Sequence, residues 1–322
     1  MIHRRDFLAA GGALALSPAL QAQSFPNRAI QMVIPYPAGG TTDVMARAMV
    51  EPLQRSLGQP VIIENKSGAA GVLGAREVAQ GKPDGHMLLF VNSGILAVTP
   101  HVQKDAGFDG VKSFAPVALV TVAPLFVIVP GDLPVTDLRS FIEYARKQPK
   151  PLAYATAGIG SFGHLATELF LRTAGLSMTH VPYRGQAPTT NAVLTGEVSL
   201  LITSMSANMR AFLDSGKLKL LATTAAPSSP QTPGVPTVAS VLPGYEAETW
   251  FGFVTTAGTP PAVVDRLNRE INLMLDTPAM RERMQGLGQQ LRTTTPARLG
   301  EMIAQDNARW GTVVREAGIN LN

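Results

Sequence analysis

This chain of 322 residues has no cysteine. That excludes disulfides, thiolate metal sites, a cysteine nucleophile and a lipidated N-terminal cysteine. Charge is sparse, at 16% of residues, and no run of Lys or Arg occurs beyond the N-terminus. A net charge of +4 spread this thinly leaves no nucleic-acid footprint and only a mild preference for anions. No segment is apolar for long enough to span a bilayer as a helix. His86, His101 and His180 lack metal-ligand spacing, and Ser161 lies in Gly160-Ser161-Phe162 rather than in a Gly-x-Ser-x-Gly elbow. No catalytic residue, metal or cofactor is expected.

What is present begins with an export signal. Arg4-Arg5 form a positive region, residues 7–16 a short apolar one and Leu20-Gln21-Ala22 a cleavage site, with cutting expected before Gln23. Arg4-Arg5-Asp6-Phe7-Leu8 also resembles the twin-arginine signal, which exports folded proteins. Residues 1–22 are therefore read as a signal peptide, and the rest as a monomer free in the periplasm. At 45% hydrophobic with a mean hydropathy of +0.13, the remainder is globular and long enough for two domains.

Two glycine-rich turns dominate it. The first, Tyr36-Pro37-Ala38-Gly39-Gly40-Thr41-Thr42-Asp43, joins an apolar run at 30–34 to an amphipathic helix. The second, Gly158-Ile159-Gly160-Ser161-Phe162-Gly163-His164, joins a strand at 152–156 to another. Small residues let backbone N–H groups approach a ligand, and the helix that follows leaves its first N–H groups unpaired at a positive end. Such an end suits an anion. Thr41 or Thr42 is expected to cap the first helix, Asp43 to stabilise its first turn and Pro52 to kink it.

Strands and helices alternate throughout, which predicts α/β architecture with mostly parallel sheets. A long apolar stretch at 116–129 reads as two strands crossing between lobes near Ala123, and the Pro/Ser/Thr-rich stretch after Thr224 as the return. The expected division is 23–123 with 225–322 in lobe 1 and 124–224 in lobe 2, joined by a two-strand hinge around a ligand cleft. Ser93 sits at a strand's carboxyl end, where open α/β sheets bind ligands. Tyr183 and Arg184 occupy a turn at another strand end. Arg184 would be the strongest anion partner if it faces inward.

Several stretches resemble one family, the periplasmic receptors of tripartite tricarboxylate transporters, or Bug family. They are residues 33–43, 57–71, 83–85, 158–165, 181–185, 216–222 and 235–237, spread over nearly the whole chain in the family's order. The resemblance implies a type II periplasmic-binding-protein-like fold that closes on a small aliphatic or aromatic carboxylate and hands it to permease subunits in the membrane. It also implies that Ala38, Gly39, Gly40, Thr41, Thr42 and Asp43, with Gly160, Ser161, Phe162 and His164, grip the carboxylate through main-chain amides and bridging waters. Thr203 and Ser204 complete the candidate site. Relatives often carry Asp where Ser199 and Thr203 stand, an Arg within 226–230 and an aromatic where His86 stands. Lacking an acid at Thr203, this chain is expected to take an organic acid without an amino group.

Two other functions fit parts of the pattern. Gly158-x-Gly160-x-x-Gly163 matches a dinucleotide fingerprint and, on an exported chain, allows a nucleotide-dependent oxidoreductase. The acid that fingerprint requires about twenty residues on is missing, since Glu197 is the next carboxylate after Glu168. A loaded receptor that signals to a membrane sensor would use the same site as the transport receptor.

Overall fold

Apolar runs such as Ile30–Ile34 carry no polar alternation because helices cover both faces of their sheet. A computed structural model describes residues 25–318 except 104, 184, 226–232 and 288, so the expected signal peptide lies outside the described residues. The chain runs β1 (Ile30–Ile34), α1 (Thr41–Leu57), β2 (Val61–Asn65), α2 (Val72–Ala79), β3 (Met87–Asn92) and, after a π-helical turn at Gly94–Val98, α3 (Thr99–Val102). Next come β4 (Phe114–Pro124), β5 (Phe126–Pro130), α4 (Leu138–Arg146), β6 (Ala153–Thr156), α5 (Phe162–Ala174), β7 (Thr179–Pro182), α6 (Gln186–Leu194), β8 (Leu200–Thr203), α7 (Ala207–Asp214) and β9 (Leu218–Thr223). It closes with β10 (Glu248–Thr256), α8 (Pro261–Leu275), α9 (Pro278–Gly286), β11 (Gln290–Leu291) and α10 (Pro296–Ala317).

Two sheets result. The first has strand order β11-β4-β10-β3-β1-β2 and the second β7-β6-β8-β5-β9. Both are mixed rather than mostly parallel. The strands that cross between units, β4, β5 and β10, run antiparallel to their neighbours, while β1 with β2 and β3, and β6 with β7 and β8, are parallel. A strand that arrives from the other unit enters at the opposite end of the sheet, which reverses its direction.

Leu125 alone separates β4 from β5, two residues beyond the expected crossing. There Thr224, fully buried, ties the outgoing and returning chains together. Its hydroxyl accepts from the Leu125 N–H at 2.7 Å and donates to the Ala247 carbonyl, and its own N–H donates to the Leu125 carbonyl at 2.9 Å. Thr224→Val keeps the shape but orphans a buried donor and a buried acceptor, so urea unfolding should show a loss of about 2–4 kcal/mol. A loss under about 0.5 kcal/mol would remove Thr224 from the account of the hinge.

The packing also departs from the expected division of the chain. Val238, Tyr245, Ala247, Trp310, Val313 and Val314, all C-terminal to 224, are buried in the core of the second sheet with Val127, Phe141 and Phe170. Helix α10 therefore spans both units. Near its middle Asp306 accepts from the Trp250 indole of the first sheet at 2.7 Å, and further along Glu316 pairs with Arg172 of α5.

Several helix ends follow local chemistry. Gly58 closes α1 at φ 69°, Asp137 and Ser140 form a reciprocal capping box on α4, and Thr277 and Thr295 cap α9 and α10. The N-cap of α1 is Gly40, not a threonine, because Thr41 and Thr42 are already helical. Likewise Pro260 precedes α8 without a side-chain cap, and the Thr259 hydroxyl bonds Thr256 instead. Helix α1 runs unbroken through Pro52.

Candidate functional site

The loop between β1 and α1 is wound around one carboxylate. Asp43 is almost fully buried; its Oδ2 accepts from the Gly39 N–H at 2.8 Å and from Arg47 Nε at 2.9 Å, and its Oδ1 from Asn65 Nδ2 at 2.9 Å. Asn65 also donates to the Tyr36 carbonyl, so the end of β2 braces the loop. The Arg47 bond, reinforced by Gly39 and Asn65, holds the Asp43 carboxyl at about 2, below the usual range. Gly39 has φ 82°, a conformation that L side chains rarely adopt, and this turns its N–H towards Asp43. That amide is consequently spent inside the loop and not offered outward. What remains is the first turn of α1, where Gly40 provides no side-chain cap and Thr41 is exposed.

The loop before α5 is closed in the same way. Ser161 Oγ accepts from the His164 N–H at 3.3 Å, and His164 Nδ1 accepts from the Gly160 N–H at 3.1 Å. A Cβ on Gly163 would sit 2.8 Å from the Ile202 carbonyl, so this glycine permits helix–strand packing. The amides of Phe162 and Gly163 are left at the helix start. The Phe162 ring packs edge-on against Trp310, at 5.0 Å between centroids. The two loops approach each other through β3: Tyr36 donates to Asn92 Oδ1 at 2.8 Å, and a Cβ placed on Gly94 would lie 3.2 Å from that same oxygen and 3.9 Å from Phe162 Cβ.

Under the α5 loop three rings are stacked. His164 lies on His180 at 4.0 Å, and His180 on Tyr154 at 4.9 Å; Thr156 holds His180 Nε2, and the Tyr154 hydroxyl donates to Glu168. Burial, with the neighbouring His180, pushes His164 down to about 4, and burial lowers His180 as well. The unfolded chain thus takes up these protons first. Stability contributed by the stack should be complete above about pH 6.5 and fall as the pH drops towards 4. Protonated His164 also loses the Nδ1 lone pair that holds Gly160. Urea unfolding at stepped pH should show this slope and His164→Gln should flatten it; a profile unchanged by the substitution would contradict the assignment. Asp43 acts in a lower window, losing its contribution as the pH falls from about 3.8 towards 2.

A cleft of about 970 Å3 opens at the first turn of α1. Gly39, Thr41, Val44 and Met45 line it from the first unit, Met205, Ser206 and Arg210 from the start of α7 in the second, and the α9–β11 segment lines it as well. Of the residues singled out in the sequence, only Gly39 and Thr41 belong to this lining. The α5 loop does not border this cleft and meets the first unit at Gly94 instead. Ser93 is fully buried with its hydroxyl 3.1 Å from that of Thr249, so it braces the sheet rather than facing the cleft. The Tyr183 hydroxyl is committed to Glu197 at 2.6 Å. Thr203 and the Ser204 carbonyl both accept from Gln186, the first residue of α6, which fixes the β8–α7 turn. Arg184 lies outside the described residues. Asn65 and Gln186 were not singled out by sequence pattern, although Asn65 opens a small-residue turn that could have marked it. Among the described residues no group of three His, Asp or Glu side chains could hold a metal ion.

Two α/β units joined by crossing strands, with a cleft between them, define a type II periplasmic binding protein. The solved periplasmic binding protein BugD shares this fold, with 33% identity over 92% of this chain and 99% of its own, at a TM-score of 0.77. Residues 45–319 match the Tripartite tricarboxylate transporter family receptor, and the chain belongs to that family. It is a family of binding proteins, not enzymes. The Protein BugT of Bordetella pertussis is 35% identical over 98% of this chain and 96% of its own length. The R. palustris protein Rpa4515, solved with adipate, is 34% identical over 92% of this chain and 99% of its own, at a TM-score of 0.80.

Proposed function

We propose that this chain is the exported receptor of a tripartite tricarboxylate-type transporter, and that it seats one carboxylate of an organic acid at the first turn of α1 and delivers the acid to membrane permease subunits. The observation that carries this reading is a helix start with no side-chain cap opening into a cleft whose described lining includes two arginines and no acid. The Phe162 and Gly163 amides at the start of α5 would meet the ligand as the units close, directly or through water. Family membership and the adipate bound to Rpa4515 support a carboxylate ligand. Charge-assisted contacts of about 1–3 kcal/mol each, offset by closure, fit affinities of roughly micromolar order. The Arg4-Arg5 segment would direct export, with cleavage near Ala22, and the mature protein would act as a periplasmic monomer.

Heat-denaturation scans with a panel of aliphatic and aromatic acids test this. A true ligand raises the midpoint with concentration. A flat response across the panel would overturn the reading.

A further inference from the structure

We infer that Asn307, near the middle of α10, is a pivot of closure: together with Thr224 it marks the line about which the two units turn, and its bonds set how freely they do so. It touches no ligand and acts by positioning one unit against the other.

The strands at Leu125 and Thr224 are not the only places where the chain passes from one core to the other. In the π-helical turn Gly94–Val98, Ile95 and Leu96 are buried in the first core and Ala97 and Val98 in the second, where Val102 of α3 joins them. The Thr99 N–H reaches back five residues to the Gly94 carbonyl, and this widened turn lets neighbouring side chains serve opposite cores. In α10 the changeover falls between Ile303, in the first core, and Trp310, in the second. Asn307 stands in that interval. Its Nδ2 donates to the Leu96 carbonyl at 3.1 Å, and its Oδ1 and main-chain carbonyl both accept from His101 Nε2, at 3.1 and 2.9 Å. The His101 ring lies this close because residue 311 is glycine; a Cβ there would sit 2.6 Å from the ring. One side chain therefore ties the crossing point of the π turn to that of α10, as Thr224 ties the crossing points at Leu125 and Ala247.

A polar chain joins the two ties. Glu246, next to Ala247, pairs with Arg309 at 3.5 Å, and Arg309 pairs with Asp306, next to Asn307, at 2.9 Å. When two bodies rotate, only points near the axis keep their separation, and a hydrogen bond does not survive a stretch to about 3.6 Å. Ties between crossing segments therefore persist through closure only where the axis passes close to them. A unit held at Thr224 alone could turn in any direction about that point. A second tie leaves one rotation.

The absence of cysteine lets spin labels be placed on Leu273→Cys in α8 and Lys147→Cys at the end of α4, both exposed and on different units. Saturating adipate should change the distance between the labels by pulsed EPR, while the Asn307 side-chain amide keeps its NMR position and slow exchange. Loss of that protection by about tenfold or more on loading would overturn the inference, because the tie would then break during closure. Binding without a change of distance would overturn it as well. Asn307→Ala should broaden the ligand-free distance distribution by about half and weaken adipate binding about tenfold, since fewer molecules are poised to close. His101→Ala removes one side of the tie and should do the same to a smaller degree; it decides if Asn307→Ala does not fold. A purely structural role would lower the melting temperature and leave the distribution well below that temperature unaltered, and this result too would overturn the pivot. If adipate does not bind, the ligand-free distributions of the variants still decide the pivot, and that failure belongs to the carboxylate reading alone.

Discussion

Asp43→Ala should weaken binding of the acid that gives the largest thermal shift by about 10- to 100-fold, and should cost about 2–4 kcal/mol in urea unfolding. Both effects have one origin. Three donors converge on this carboxylate, from Gly39, Arg47 and Asn65, and its removal releases the loop that shapes the start of α1. Asp43→Asn separates charge from shape. It keeps an acceptor for Asn65 or Gly39 but loses the Arg47 ion pair, so its losses should be smaller than those of alanine. Arg47 is more than half exposed and its pairing alone contributes modestly. Unchanged binding in the alanine variant would show that the loop does not contact ligand.

Trp310→Ala should be the most destabilising single change considered, at about 3–5 kcal/mol. Trp310 is fully buried in the second core yet sits on the helix that also packs against the first unit. Its loss leaves a cavity where α10 meets α5 and removes the edge-on support of Phe162. The indole N–H has no partner among the described residues, so Trp310→Phe deletes an unsatisfied buried donor together with some volume. That variant should cost far less than alanine. If both substitutions cost the same, or alanine costs under about 1 kcal/mol, helix α10 does not hold the two units together through this side chain.

Much of the fold was legible because it is local. Alternating strands and helices are written within a dozen residues of where they act, although the cap of α1 is Gly40 and not the expected Thr41 or Thr42. The assignment of α10 was not, because a helix that packs on two cores carries apolar residues on more than one face and gives no sign of which core takes which. The site was legible in part. Both glycine loops stand at helix starts as expected, but Gly39 and Gly160 give their amides to Asp43 and His164 four residues on. Nothing in a glycine-rich string distinguishes an amide folded back on a side chain from one aimed outward. Arg210 and the α9–β11 wall were missed for a different reason. They reach the start of α1 only through tertiary packing, with β11 paired to β4 and α9 set against α1, so no periodicity points to them.

The central claim is that a carboxylate docks on the first turn of α1, in the cleft between the units. Amide NMR of the labelled mature protein, titrated with adipate or with the acid that stabilises it most, tests this residue by residue. The account predicts the largest shifts at Thr41, Thr42 and Asp43, with accompanying shifts at Phe162 and Gly163 as the units close. Saturable binding that leaves the Thr41–Asp43 amides unmoved and shifts residues elsewhere would contradict it.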